Sequence, residues 1–484
     1  MKVDIRILNI NLKNIKNVTN GSVVLSTIED FINSKSSIKG IYGQNGSGKT
    51  ALISAMKIFK NIASGDSLTN DVFDFININS NYAQIEIEFY IKFHDRTLGD
   101  YITRLCLNLE KIKDNTDLLF YEKKTNSDPK PRVFISREKL EYKKYDISKE
   151  AWQSYRTLLE VNLHNSSVYP KYRRNEIIKS SNEESFFKIF TNYARKEAKS
   201  LFFLDEITGL INNSDLPEEY NLFFWLKEFA IENLFVLDSR DLGFSFINLY
   251  LPMNFKTYKK DSDGEVSSDF SGVFPVFLDE EDLFSIPISF IDDINHSLTC
   301  SNEVLKEIIP GFSIDTEVSQ PFVDKNNREV ASIQFFSNRR IDGVKQRLPL
   351  KYESDGIKRI LSFINIIIGL YNSESISLFI DELDSGIFEF LLGELLSVLE
   401  PFAKGQLVFT SHNFRALEVL DKNNLIFTTA NPNNRYTKLK YVQANNNMRD
   451  FYYRNLVLDY QDETLYEPTN TARIRRAFRK AGGL

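Results

Sequence analysis

The apolar positions along the chain change period several times, and each change predicts an element. Ile5, Ile7 and Leu8, then Val23, Val24 and Leu25, form short β-rich runs separated by Asn20-Gly21. Ile38 to Tyr42 is a second apolar run that stops at a glycine-rich turn. Beyond it Ala51, Leu52, Ala55, Ile58 and Phe59 fall on one helical stripe, so the order is strand, loop, helix. A polar stretch over 64–82 precedes the alternation of Ile85, Ile87, Phe89 and Ile91, which predicts a strand. Further strands are expected over 101–109, 118–123 and 132–136, forming an antiparallel patch beside a parallel core.

From about 150 to 345 the spacing resembles helices, over 150–163, 183–204 and 218–236, with many aromatics between polar stretches. Asp261 to Ser271 is expected to be an exposed loop. The region is expected to be an insertion with its own core. No heptad persists, which argues against a long coiled coil. The last third returns to alternation of helix and strand. Leu350 to Tyr371 becomes a strongly apolar helix, Ile376 to Ile380 a continuous apolar strand, 387–400 a helix, and Gln406 to Thr410 and Leu425 to Thr428 two more buried strands. Uninterrupted apolar strands between helices predict a parallel sheet covered on both faces. The parts 1–145 and 346–450 are expected to complete one α/β sheet around the insertion 146–345, with 451–484 as a basic helical tail.

Length and charge narrow the classes. A chain of 484 residues is too long for one simple core. Its formal charge of −6 argues against binding nucleic acid through bulk positive charge, though a local basic patch is not excluded. Cys106 and Cys300 lie too far apart in sequence for a disulfide framework and are expected to be reduced, buried thiols. Four scattered histidines do not suggest a histidine metal site. No apolar run reaches membrane-spanning length and the first residues lack a signal-peptide layout, so a cytoplasmic protein without a membrane partner is expected.

Candidate chemistry starts at Gly43-Gln44-Asn45-Gly46-Ser47-Gly48-Lys49-Thr50, a full match to the phosphate-loop pattern G-x-x-x-x-G-K-[ST]. Glycines allow consecutive backbone N–H groups to turn inward around phosphate oxygens, and the following helix adds the positive end of its dipole. Lys49 is expected to reach the β- and γ-phosphates of ATP and the Thr50 hydroxyl to bind Mg²⁺. Ser377-Leu378-Phe379-Ile380-Asp381-Glu382 is a buried strand ending in two carboxylates. Placed beside the strand that feeds the loop, Asp381 can support Mg²⁺ and Glu382 can orient and polarise an attacking water. Leu201-Phe202-Phe203-Leu204-Asp205-Glu206 has the same local pattern, but it sits in a helical-looking stretch and lacks the flanking elements. Those elements are Glu353-Ser354-Asp355-Gly356-Ile357-Lys358-Arg359 before the acidic strand, Leu383-Asp384-Ser385-Gly386 directly after it, and Thr410-Ser411-His412 after the next strand.

Together these motifs resemble the ABC-type ATPases, specifically prokaryotic AAA proteins with an SMC-like head. The opening, IRILNINLKNIKNV and IYGQNGSGKTALISAM, looks like such heads too. The resemblance covers about 250 residues, 1–145 and 346–450. It implies a P-loop NTPase of ABC/SMC-head type: α/β, with an antiparallel β subdomain and a large, mainly helical insertion. It further implies that Glu382 is the catalytic carboxylate, that His412 senses the γ-phosphate, and that Ser354 and Gly356 contact the γ-phosphate held by a second subunit. Asp384 would pass between the two sites. Asp355 departs from the family, carrying an acid where the transporter motif has glycine. The Q-loop glutamine has no clear position, and Gln84 is the candidate.

The resemblance implies a homodimer or higher homo-oligomer, and a slow, regulatory ATPase. With no effector domain visible, the chain looks like the ATPase subunit of bacterial anti-phage, abortive-infection systems of PARIS-like or AbiL-like type, then Septu-like. Such subunits act beside a separately encoded effector, often a Toprim- or HNH-type nuclease, and can answer a phage-derived trigger. The alternative is an SMC-like DNA-repair or DNA-clamp ATPase, in which Arg473, Arg475, Arg476, Arg479 and Lys480 could contact DNA. A transporter ATPase subunit fits less well, because of the insertion and the irregular signature.

Overall fold

The computed structural model describes residues 3–482 apart from 34, 96–97, 113–131, 182, 184, 213–215, 239–246, 262–263, 279–283, 326, 342, 444–446 and 459–460. The strand expected over 118–123 lies outside the described residues.

Two sheets position the site. The first is antiparallel, with order Val18–Val24, Val3–Ile15, Tyr82–Phe93, Tyr101–Ile112, Arg132–Asp146, Arg156–Asn162, Ser167–Tyr169, and with Ala151–Trp152 added beside Arg132–Asp146. The second has order Leu234–Leu237, Ser377–Ile380, Gln406–Thr410, Ser37–Tyr42, Leu425–Thr428, all parallel, closed at one edge by antiparallel Tyr436–Thr437. Each strand from Ser377–Ile380 to Leu425–Thr428 is buried at all or nearly all of its positions, because helices or the other sheet cover both faces. Alternation divides the contacts. Ile41, Phe379, Val408 and Ile426 join the core shared with the antiparallel sheet and the helix Lys49–Ala63. Ile38, Leu378, Ile380, Leu407 and Phe409 join the opposite core, under the helices Asp355–Asn372 and Glu389–Phe402. Full burial of such side chains stabilises by about 1.5–3 kcal/mol each relative to leaving them exposed.

The region 146–345 carries the helices Lys171–Ser181, Phe186–Lys196, Asp205–Asn212, Asn221–Glu228 and Ile291–Ile308, and strands as well. Among the described residues its first half has no core of its own: Leu158, Phe187, Phe203 and Phe223 pack in the same cluster as the phosphate-loop helix. Three sequence expectations are corrected. The segment 150–163 is strand, Ala151–Trp152 and Arg156–Asn162, because the open edge of Arg132–Asp146 offers backbone partners that outweigh an ambiguous period. The segment 218–236 ends as a strand, Leu234–Leu237, on the edge of the parallel sheet, so the insertion completes that sheet. The polar stretch Asp261 to Ser271 belongs to a hairpin, Ile247–Asp261 with Gly264–Leu278.

A further antiparallel sheet is built from Phe284–Pro287, Ser313–Val318, Phe322–Val323, Glu329–Ile341 and Val344–Pro349. It adjoins the turn that opens Asp355–Asn372. Both cysteines are free, but neither is fully buried as expected: Cys106 is half-buried and Cys300 exposed. Among the described residues no helix is long and apolar enough to cross a membrane.

Candidate functional site

The site forms where the parallel strands end. Ser37–Tyr42 runs into the glycine loop, and the loop runs into Lys49–Ala63. Gly48 caps that helix at φ 97°, a left-handed conformation that favours glycine. Gly43 is required by crowding: a Cβ there would lie 1.6 Å from Thr428 Oγ1. Ser47 turns inward, donating to the Gln44 carbonyl at 2.6 Å and meeting Thr428 Oγ1. Gly43 and Ser47 thus hold the loop from beneath, while Asn45 and Gly46 are exposed.

A cavity of about 400 Å³ opens above the loop. It is lined by Asn45, Gly46, Gly48, Lys49, Thr50 and Ala51 of the loop and helix, by Asp381, Glu382, Thr410 and His412 from the strand ends, and by Lys16 and Asn17. The Lys49 ammonium donates to the carbonyls of Gly43 (2.8 Å) and Gln44 (3.1 Å). Burial lowers its pKa, and the facing carboxylates of Asp381, Glu382 and Asp384 oppose that shift.

The acidic strand does not adjoin the loop-feeding strand, contrary to expectation. Gln406–Thr410 lies between them. The interposed strand brings Thr410, which the sequence reading passed over in favour of the nearby His412. Thr410 Oγ1 donates to Asp381 Oδ1 and accepts the Glu382 N–H at 2.8 Å, so one hydroxyl fixes both acidic residues. Arg359 donates from one Nη2 to the carbonyls of Asp381 and Glu382, each at 2.9 Å. Burial lowers the Arg359 pKa to about 10 despite the nearby carboxylates. Glu382 has φ 51°, sparsely populated for a side-chain-bearing residue, and the Thr410 and Arg359 bonds hold its backbone there. Valine at 410 keeps the shape and removes the hydroxyl. We expect Thr410→Val to reduce phosphate release by about 10–100-fold, as for loss of a supporting partner, with Thr410→Ser restoring it.

The signature residues stand outside this cavity. Ser354 is exposed and caps Asp355–Asn372 with extended backbone and no side-chain capping bond. A Cβ on Gly356 would lie 2.4 Å from the Gly386 carbonyl, so this glycine packs backbone against backbone on the turn after the acidic strand. Asp384, in that turn, accepts the N–H groups of His412 (3.1 Å) and Asn413 (2.9 Å) within its own chain. His412 is exposed at the cavity wall. Gln84 is not at the site; it lies on the antiparallel sheet and its Nε2 meets Cys106 Sγ at 3.0 Å. Asp205 opens the helix Asp205–Asn212 and pairs with Lys227. Lys16 and Asn17 were also missed, and only their place just after the first strand pointed to them.

The donors present fit Mg²⁺. Thr50 supplies a hydroxyl and Asp381 a carboxylate to one cavity, a hard-oxygen pair that leaves room for phosphate and water oxygens.

Residues 38–418 match the family described as AAA domain, putative AbiEii toxin, Type IV TA system. No curated protein matches the sequence. Among solved structures, the Smc head bound to the C-winged helix domain of ScpA is similar at a TM-score of 0.36 and 13% identity, covering 90% of this chain and 98% of that one. The SMC head domain from Thermotoga maritima gives 0.32, 13%, 90% and 99%. The recombination mediator RecF with ATP gives 0.34, 11%, 90% and 100%.

Proposed function

From the premise that the chain belongs to this AAA-domain family, described as putative AbiEii toxin, Type IV TA system, we propose that it is an ATP-binding and ATP-hydrolysing switch subunit that dimerises around nucleotide. The observation that carries the reading is the meeting of cradle and carboxylates: Lys49, Thr50, Asp381 and Glu382 line one cavity. The loop N–H groups and Lys49 bind phosphate oxygens. Glu382 takes up a proton from the attacking water, and His412 reaches the transferred phosphoryl group. Thr50 and Asp381 would hold Mg²⁺, which when bound neutralises phosphate charge.

Exposed Ser354 at a helix N-terminus, outside the cavity of its own chain, is a surface for phosphate held by a second copy. Nucleotide then favours the closed dimer, because only that state adds these contacts. In the cell the switch acts as the ATPase of a PARIS-like or AbiL-like abortive-infection system, controlling a separately encoded nuclease. The reading is tested by adding bulk at the dimer face. Ser354→Arg should leave binding of a fluorescent ATP analogue within about two-fold of wild type, as for a surface change, and abolish ATP-dependent dimerisation in sedimentation. A variant that still dimerises with ATP would refute it.

One observation favours the second reading, a DNA clamp. The helix Thr471–Ala481 is exposed throughout and carries Arg473, Arg475, Arg476, Arg479 and Lys480. That reading calls for DNA affinity that falls steeply with salt.

A further inference from the structure

The described C-terminal residues are tied to the phosphate loop along two routes. Leu465 is 1% exposed, packed in the same core as Tyr42 of the loop-feeding strand. The Ala430 N–H donates to the Thr464 carbonyl at 2.7 Å. The Glu463 carboxylate accepts from Nδ2 of Asn431 at 3.1 and 3.2 Å and from Nδ2 of Asn434 at 2.9 Å. These contacts seat residues 461–467 as a strap across the loop 429–435. The first route is direct: the Glu467 N–H donates to Gln44 Oε1 at 3.0 Å, and Gln44 is the second residue of the phosphate loop.

The second route runs through Arg435 and Tyr436. Arg435 donates to the carbonyls of Thr429 (2.6 Å) and Asn17 (2.7 Å), and Asn17 donates to the Gly46 carbonyl. The Arg435 stem also crowds Gly48, where an added Cβ would come within 3.1 Å of its Cγ. The Tyr436 hydroxyl donates to the Gly48 carbonyl at 2.8 Å. So the strap reaches Gln44 directly, and the loop it crosses leads through Arg435 and Tyr436 to Gly46 and Gly48. The exposed helix Thr471–Ala481 begins only four residues after Glu467.

We propose that the strap 461–467 is a latch on the nucleotide site, with Gln44 and Arg435 as positioning residues, and that lifting the strap loosens the grip on ATP. This rests on the nucleotide-binding reading above. Linkage requires the reverse effect with the same factor: ATP must tighten the strap.

The test uses the full-length chain and mant-ATP, a fluorescent ATP analogue. Deleting 468–484 removes the exposed helix and leaves the strap, so affinity should stay within about two-fold, as for loss of an exposed element. Deleting 461–484 should weaken binding about ten-fold, within the usual range of coupling. Because that deletion also removes buried Leu465, Gln44→Leu supplies a milder variant. It keeps the volume, deletes the acceptor, and should weaken binding about three-fold, the value of one exposed hydrogen bond. In the 461–484 deletion background Gln44→Leu should add nothing, because the bond it breaks is already gone. Amide exchange of peptides over 461–467 should slow when ATP is added to wild type. Exchange indifferent to ATP, or a Gln44→Leu effect equal in both backgrounds, would overturn the latch. Wild type that fails to bind mant-ATP at all would instead remove the nucleotide reading on which it stands.

Discussion

Glutamine in place of Glu382 is expected to slow ATP hydrolysis by about 10²–10⁴-fold, the usual contribution of a positioned general base. ATP binding should barely change. Thr410 holds the Glu382 N–H and Arg359 holds its carbonyl, so the backbone that aims this side chain is fixed by groups that the substitution leaves in place. An amide has the size of the carboxylate but cannot take up the proton of an attacking water. Lys49, Thr50 and Asp381, which contact phosphate and Mg²⁺ in this reading, keep their positions around the cavity. The consequence is a state that binds ATP and does not discharge it, so the closed dimer should accumulate. Single-turnover phosphate release and sedimentation with ATP and Mg²⁺ measure the two effects. A variant that hydrolyses at the wild-type rate would move the base elsewhere. A variant that is inactive yet monomeric would dissociate catalysis from the proposed assembly.

Lys49→Ala should have the opposite profile. Its ammonium is buried against the loop and faces three carboxylates. Removing it takes away the buried cation that sets phosphate charge against Asp381 and Glu382. We expect ATP affinity to fall by about 100-fold or more, comparable to the loss of a principal charge-stabilising donor. Stability should change little, since relief of the buried cation offsets the loss of its two bonds to loop carbonyls. A thermal midpoint near that of wild type, together with lost binding, separates this role from misfolding. Affinity retained within a few-fold would mean that the glycine loop grips something other than a triphosphate.

How much was legible follows from how local each signal is. The phosphate loop could be read from eight consecutive residues, because a tight turn that presents N–H groups needs glycine at fixed offsets. The acidic strand end could be read because a fully buried strand is an unbroken apolar run and its terminus is abrupt. Thr410 could not be assigned, since its value lies in standing one strand away from Asp381, and strand order is absent from any single segment. Arg359 lay in plain view within the signature stretch, but only the packing of Asp355–Asn372 over the acidic strand points it at the Asp381 and Glu382 carbonyls. Gly356 carried an ambiguity of the same kind: a glycine at a helix start suits a phosphate, and here it also lets two turns touch.

The sequence by itself determined the chemistry of the parts: a phosphate cradle, a carboxylate pair at a strand end and a serine at a helix start, each dictated by contacts within a few residues. The tertiary structure alone decided which strand stands between cradle and carboxylates. It also made Leu234–Leu237 a sheet edge rather than a helix, and brought a strap from 461–467 onto Gln44. Those outcomes depend on which open edges and apolar faces remain once the rest of the chain has folded. Long-range competition of that kind leaves no periodic trace in any one segment.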